Sequence, residues 1–210
     1  MIFEKLCIEA FDERSISKDI HEMNDHIKSL LINAPPSHEI PFEVLQDIRR
    51  KGGGLLESQP YSEKAENRLI NQDNKKVTIR IFNNDTPNFV YLHIHGGGHC
   101  IGAADMQDQS LEKISNDLNC VVVSVEYRLA PANPYPAAPD DCEAAAIWLI
   151  ENSMSEFNTE KIVIGGESAG ANLSAVTLQR LKSKGLLGNM KGANLVYGSY
   201  DARLTTSALR

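Results

Sequence analysis

The sequence predicts a doubly wound α/β fold, in which helices flank both faces of a mostly parallel sheet. Short, nearly continuous apolar runs are typical of strands that are buried on both faces. They recur at 89–94, 121–125, 162–164 and 193–196. Helical patterns fill the intervals, at 106–118, 137–152 and 169–184. This alternation favours parallel strands joined by right-handed crossovers.

The segments before residue 89 have a different pattern. Residues 1–34 carry apolar positions at helical spacing until two prolines follow, and a second short helix is predicted at 41–50, before a glycine run at 52–54. Apolar and polar residues then alternate over 63–82, and the polar stretch 71–74 indicates a turn between two strands. We therefore expect a helical segment at 1–54 and an α/β core at 55–210.

Composition is that of a soluble globular chain of 210 residues, with 42% hydrophobic residues and a mean hydropathy of -0.28. A net charge of -7 argues against nucleic acid and anionic membranes as partners. No apolar stretch approaches the length of a membrane span, and charge interrupts the N-terminus too early for a signal peptide. The expected location is the cytoplasm, and the sequence indicates no oligomeric state.

The four cysteines lie far apart, without the close spacing of a zinc site or a redox pair. Cys120 opens an apolar run and Cys142 lies in a helical pattern, so we expect buried thiols in a reducing compartment. No metal and no cofactor are predicted.

Ser168 is the first candidate site residue. It is the centre of Gly-Glu-Ser-Ala-Gly at 166–170, directly after a predicted strand. Small flanking residues allow a sharp strand-to-helix turn that exposes the hydroxyl. That hydroxyl is a weak nucleophile unless a base lies within hydrogen-bond reach. Every histidine precedes Ser168, and the only carboxylate side chain after it is Asp201.

A glycine triplet provides the second candidate. His95 and three glycines, 96–98, follow the predicted strand at 89–94. Glycines suit a place where backbone N–H groups must approach a developing oxyanion, because a Cβ would block the approach. Gly97 and Gly98, with the N–H of Ala169, could therefore form an oxyanion hole. A glycine triplet alone also suits ordinary turns, but together with the serine motif it indicates a nucleophilic serine site.

These motifs resemble those of the hormone-sensitive-lipase group of α/β-hydrolase esterases. The resemblance runs from about residue 62 to the last residue, and includes Glu-Tyr-Arg-Leu-Ala-Pro at 126–131 and Tyr-Pro-Ala-Ala at 135–138. It implies an α/β-hydrolase fold, N-terminal helices that cap an acyl pocket, and hydrolysis of small-molecule esters with short or medium acyl chains. Type-B carboxylesterases share the serine motif, but they are much longer and lack the 126–131 element. We therefore rank them behind the hormone-sensitive-lipase group as the family that this sequence resembles.

The resemblance also implies roles for single residues. Ser168 would be the nucleophile, with oxyanion donors at Gly97, Gly98 and Ala169. His95 would orient the glycine loop, and would not be the base.

Three further positions match less directly. Arg128 is expected to tie its loop to neighbouring carboxylates. His99 stands where the family often has an aromatic residue in the pocket, and a role as substitute base is a remote alternative. Glu167 replaces the more usual Asp, with its side chain expected to point away from the reacting carbonyl.

The triad acid and histidine of the family follow two further strands, whereas this sequence stops soon after 193–196. Asp201 matches a structural Asp of the family. We therefore expect a core that lacks the last two strands, an exposed apolar edge at 193–196, and a chain that is inactive alone. One alternative is a non-catalytic, receptor-like binding protein on the same scaffold, which would have no need to keep both Ser168 and the glycine loop. Another is a degenerate product that never folds stably.

Overall fold

A computed structural model describes residues 16–32, 34–52 and 60–201. The chain divides into two compact units, Met1–Glu57 and Ser58–Arg210. Residues 1–15 of the predicted first helix lie outside the described residues. So do Gly53 and Gly54 of the glycine run that follows the second predicted helix.

The N-terminal unit contains helix α1, Lys18–Leu31, a single 3-10 turn, Ser37–Glu39, and helix α2, Phe42–Lys51. Gly52 ends α2 in the left-handed conformation, with φ 75°, which glycine adopts without the steric cost of a Cβ. Both predicted helices are confirmed within the described residues. Their role as a cap stays a prediction.

The second unit is built on one six-stranded sheet, with strand order β1-β2-β4-β3-β5-β6. Its strands are β1 Glu66–Gln72, β2 Lys75–Phe82, β3 Val90–Ile94, β4 Val121–Glu126, β5 Ile162–Glu167 and β6 Met190–Val196. Strands β4, β3, β5 and β6 are parallel, while β1 and β2 pair antiparallel. The mostly parallel sheet is therefore confirmed, with an antiparallel hairpin at one edge.

Each predicted core helix is present. Helices α3 Asp108–Leu118, α4 Ala137–Phe157 and α5 Ala169–Ser183 connect the strands. Helix α4 continues five residues past its predicted end, through to Phe157, which is buried. None of the helices in the described ranges is long and apolar enough to cross a membrane.

The hairpin turn consists of Asp73 and Asn74, at φ 51° and 63°. Two consecutive positive φ values match the type I′ turn that fits the twist of paired strands, and Asp and Asn tolerate it better than most residues. The turn is two residues shorter than the polar stretch 71–74 suggests, because β1 continues through Gln72.

Alternation along the central strands divides the core between the two faces of the sheet. Val121, Val123 and Val125 belong to the larger apolar cluster, which includes residues of α4 and α5. Val122 belongs to a second cluster, together with Leu111 of α3. Successive strand side chains point to opposite faces, so helices cover both sides of the sheet, as predicted.

Strand β6 is an edge of the sheet within the described residues. It pairs with β5, and most of its residues are exposed. Leu195 is among the exposed large apolar side chains. The predicted apolar edge is confirmed, and it begins at Met190, three residues before the predicted run.

Cys120 and Cys142 are fully buried free thiols, as predicted. Burial raises the pKa of Cys120 to about 11 and that of Cys142 well above its usual value. Both therefore remain protonated thiols at neutral pH. Cys7 lies outside the described residues, and Cys100 is a half-buried free thiol.

A buried ion pair joins β2 to the start of α3. Arg80 and Asp108 are 1% and 0% exposed, and Arg80 Nε donates to Asp108 Oδ1 at 2.7 Å. The other guanidinium nitrogens donate to Tyr61 Oη, Asn67 Oδ1 and the Ser62 carbonyl. Because every part of the guanidinium has a partner, the cost of burying its charge is offset locally.

We expect Asp108→Asn to lower the free energy of unfolding by about 3–5 kcal/mol, because it leaves the buried Arg80 charge uncompensated. Urea denaturation followed by circular dichroism measures this. The control is Asp117→Asn, which removes an exposed partner of Lys113 and should change stability by less than about 1 kcal/mol. Equal, small effects of both substitutions would contradict the prediction.

Candidate active site

Ser168 stands alone between the last residue of β5 and the first residue of α5, and is exposed. Its backbone has φ 54° and ψ -117°, a conformation that costs a non-glycine residue on the order of 1–3 kcal/mol. Two backbone hydrogen bonds hold it. Ser168 N–H donates to the Val196 carbonyl at 2.9 Å, and the Ser168 carbonyl accepts from Asn172 N–H at 3.1 Å. The sharp strand-to-helix turn predicted for 166–170, here called the elbow, is present.

The elbow packs directly against the end of β3. A Cβ on Gly166 would lie 1.9 Å from the Ile94 carbonyl oxygen, and one on Gly170 would lie 1.8 Å from the same atom. No side chain larger than a hydrogen fits at either position without moving the backbone. The two glycines therefore allow the approach that puts Ser168 beside the segment following Ile94.

The segment following Ile94, residues 95–107, is called the glycine loop below. Gly97 and Gly98 have φ 121° and 61°, values that glycine adopts readily. Within the described ranges, neither residue donates a backbone hydrogen bond. Both N–H groups are therefore available to an acceptor.

Ala169 occupies the first position of α5. The N–H groups of a helix's first turn have no intrahelical acceptor, and the helix dipole makes this end partially positive. An anion next to Ser168 would thus meet a favourable backbone environment.

His95, the first residue of the glycine loop, is buried, with 2% exposure. Its ring stacks on Tyr127 at a centroid distance of 4.1 Å, and its Nδ1 lies 2.8 Å from the Gly96 carbonyl oxygen. Tyr127 Oη donates to the His95 carbonyl at 2.8 Å, and burial raises the pKa of that phenol. The Tyr127 hydroxyl therefore stays a donor, and the start of the loop is held by the side chains that directly follow β3 and β4.

Glu167 makes contacts that sequence reasoning missed. Its Oε1 accepts hydrogen bonds from Gly96 N–H, at 2.6 Å, and from the Gln107 amide. Its Oε2 lies 3.2 Å from His93 Nε2, whose ring in turn contacts Ser124 Oγ through Nδ1. We call these five residues the Glu167 network. A histidine within an otherwise apolar strand was the sequence signal that could have indicated it.

The pKa of Glu167 reflects this network. Burial would raise the pKa, but the hydrogen bond and electrostatic attraction of His93, together with the Gly96 N–H and the Gln107 amide, lower it to about 2. The carboxylate is therefore ionised at neutral pH, and the His93 nitrogen facing it must carry a proton to donate.

Arg128 contacts Asp141, as expected for a residue that ties its loop to a carboxylate. Arg128 Nη2 lies 2.8 Å from Asp141 Oδ1, and Arg128 N–H and Nε both donate to Oδ2 at 2.9 Å. Asp141 is 3% exposed and lies in the first turns of α4. The loop after β4 is thereby fixed to that helix.

Within residues 60–201, the structure places no base on Ser168. No histidine ring or carboxylate in this range hydrogen bonds to the Ser168 hydroxyl. His99 is half-buried, and its carbonyl accepts from Ala130 N–H at 2.9 Å, which ties the glycine loop to the loop after β4. Asp201 is exposed.

In the described part of the chain, no group of three or more His, Cys, Asp or Glu side chains could hold a metal ion. A shallow groove of about 280 Å³ lies between the loop after β4 and the start of α4, with Arg128 and Asp140 in its wall. Ser168 does not line this groove.

Comparison with known sequences agrees with the geometry. A family model described as "alpha/beta hydrolase fold" matches residues 91–210. The carboxylic ester hydrolase LipN of Mycobacterium tuberculosis is 41% identical over 101 residues, which cover 47% of this chain and 26% of that protein. The arylesterase of Saccharolobus solfataricus is 36% identical over 138 residues, covering 63% of this chain and 45% of that protein. The aligned part of this chain thus spans less than half of either relative.

Solved structures show the same fold. An arylesterase structure superposes with a TM-score of 0.69 at 27% identity, covering 85% of this chain and 58% of its own. The hyperthermophilic esterase of Pyrobaculum calidifontis gives 0.72 at 24% identity, covering 88% and 59%. The second likeness concerns the fold alone.

We expect Gly166→Ala to destabilise the chain by about 3 kcal/mol or more, because the new methyl group would meet a backbone oxygen that cannot rotate away. The matched control is Gly188→Ala, where a Cβ meets nothing within 4 Å. Thermal unfolding of both variants measures the difference. Similar midpoints for the two variants would show that the elbow does not pack as described.

The pKa of Glu167 predicts a loss of stability in acid. The carboxyl has a pKa of 4.5 without the fold and about 2 within it, so the stabilisation is complete above about pH 4.5 and is lost as the pH falls towards 2. The loss is on the order of 3 kcal/mol. Urea denaturation at a series of pH values should give a steeper acid dependence for the unsubstituted chain than for Glu167→Gln. Parallel curves would contradict the prediction.

Proposed function

Because this chain belongs to the α/β-hydrolase fold family, in the esterase group that resembles hormone-sensitive lipase, we propose that it carries the nucleophile and oxyanion site of a serine carboxylic ester hydrolase. One observation carries the proposal. Ser168 is exposed in a strained turn that packs on the end of β3. The glycine loop follows β3 directly, and the N–H groups of Gly97 and Gly98 in this loop are available to an acceptor.

In the proposed reaction, Ser168 Oγ attacks the carbonyl carbon of the ester while its proton passes to a base. The carbonyl oxygen becomes an oxyanion that accepts hydrogen bonds from the N–H groups of Gly97, Gly98 and Ala169. Collapse of this intermediate expels the alcohol and leaves an acyl group on Ser168, which water then removes. Removing one such donor costs about 10²–10³ in turnover in other hydrolases.

His95 is proposed to support the loop. Its buried ring, stacked on Tyr127, and its contact with the Gly96 carbonyl suit this role. A ring held in this way offers no route for the serine proton.

We further propose that these 210 residues are essentially inactive alone. Loss of the triad histidine costs on the order of a millionfold in turnover, although the oxyanion site and binding can retain about 10³–10⁴ over water. Support comes from the lack of a base at Ser168 within residues 60–201.

The proposed substrates are small esters with short or medium acyl chains, and the N-terminal helices are proposed as the cap over the acyl pocket. The acyl-chain length and the cap rest on the motif resemblance, whereas the ester class is also supported by relatives named as an arylesterase and a lipase.

We expect the purified chain to hydrolyse p-nitrophenyl acetate more than a hundredfold slower than ordinary esterases do. Imidazole supplied from solution should partly replace the absent base, because Ser168 is exposed. A protein-dependent rate that rises with imidazole concentration is expected, and Ser168→Ala should abolish it.

The control without protein gives the hydrolysis due to imidazole itself. A rate within a hundredfold of ordinary esterases that is lost in Ser168→Ala would refute the proposed inactivity. Equal imidazole-dependent rates for the unsubstituted chain and Ser168→Ala would refute the proposed nucleophile. The second result, combined with saturable binding of an uncleaved ester, would favour the binding-protein alternative.

A further inference from the structure

We propose that Glu167 is a positioning residue, whose carboxylate joins both ends of the glycine loop to the elbow and so sets where the Gly97 and Gly98 amides stand relative to Ser168. The inference deepens the proposed function and rests on it. It assigns a role to a side chain that the reaction itself does not need.

The contacts of the carboxylate carry the inference. Gly96 is the second residue of the glycine loop and Gln107 is its last, and both donate to the same oxygen, Glu167 Oε1. The two donors are eleven positions apart in the sequence, so one atom holds the base of the loop closed. Glu167 immediately precedes Ser168, so the same atom fixes that base to the elbow.

Strand geometry explains why Glu167 can reach the loop. Ile162 and Ile164 of β5 face the cluster that includes α4 and α5, whereas Val163 faces the cluster beside α3. Because successive side chains of a strand point to opposite faces of the sheet, Glu167 lies on the same face as Val163. The loop ends at Gln107, where α3 begins, on this same side.

His93 completes the arrangement. Its Nε2 lies 3.2 Å from Glu167 Oε2, and its Nδ1 lies 3.0 Å from Ser124 Oγ. The side chains of His93 and Ser124 are both buried. The ring is thus held between two strands and cannot turn away from the carboxylate. Hydrogen bonds to an ionised acceptor are roughly twice as strong as neutral ones, which suits a group that must fix a backbone segment.

The negative charge must also be compatible with an oxyanion nearby. An uncompensated carboxylate would oppose negative charge on the reacting oxygen. Here three donors bind the carboxylate, and none of them is the N–H of Gly97, Gly98 or Ala169. Glu167 therefore places the loop without competing for its amides.

Glu126 provides a matched comparison. Its Oε2 accepts from Ala104 N–H at 2.6 Å, in the middle of the same loop. Both Glu167 and Glu126 thus end a strand and bind a loop amide, but the Ala104 N–H that Glu126 accepts from lies in the middle of the loop and not at its base. The same substitution at the two positions separates a specific positioning effect from the general effect of removing a carboxylate.

The test uses the ¹⁵N-labelled 210-residue chain and records amide hydrogen exchange and backbone order parameters. In the unsubstituted chain, the Gly96 amide should exchange about a hundredfold more slowly than the Gly97 and Gly98 amides, which have no acceptor. In Glu167→Gln, Gly96 protection should fall about tenfold or more and the Gly98 order parameter should decrease. The glutamine oxygen is a neutral acceptor, and hydrogen bonds to a neutral acceptor are roughly half as strong as those to an ionised one.

Glu126→Gln should instead reduce protection of Ala104 and leave Gly96 and Gly98 unchanged. Should Glu167→Gln fail to fold, Gln107→Met releases one end of the loop and should still lower the Gly98 order parameter. Equal exchange rates of the Gly96 and Gly97 amides in the unsubstituted chain would overturn the proposal. An unchanged Gly98 order parameter in the folded Glu167→Gln or Gln107→Met variant would also overturn it. These measurements need no ester turnover, so their failure is distinct from failure of the imidazole assay.

Discussion

The close approach of the elbow to the end of β3 is the constraint on which the site depends. Gly166 and Gly170 both pack against the carbonyl oxygen of Ile94, and the residue after Ile94 begins the glycine loop. No separate element is needed to bring Ser168 and the loop amides together, because the packing of β5 and α5 on β3 already does so. The positive φ of Ser168 follows from the same geometry, since the chain must reverse within one residue between strand and helix.

Polar contacts fix the other side of the loop at the start of α3. Gln107 donates to Glu167, and the following residue, Asp108, pairs with the buried Arg80 of β2. Two adjacent residues thus anchor the end of the loop to β5 and to β2, which lie on opposite sides of the two central strands β4 and β3. A buried ion pair is a weak source of net stability, but removing one partner leaves an uncompensated charge, so this pair holds the first residue of α3 beside β2.

Much of the fold could be predicted from sequence, because strand and helix periodicities depend on local spacing. Element ends were less predictable, as at Phe157, since they depend on what the last turn packs against. Ser168 and the glycines were recognisable because backbone requirements restrict residue type at those positions. The role of Glu167 was not, since its partners lie 60 to 74 positions away and meet it only when strand order and side-chain alternation are known.

The geometry of the site and its chemistry depend on different groups. The contacts that place Ser168 and the glycine loop come from β3, β5, β6, α5 and the residue before α3, and none of them involves a base at the serine hydroxyl. The strained backbone of Ser168 is maintained by its hydrogen bonds to Val196 and Asn172, so its conformation does not require a histidine partner. The hydroxyl and its oxyanion donors can therefore be preorganised independently of proton transfer, which is why a base from solution is a meaningful probe of this half of the reaction.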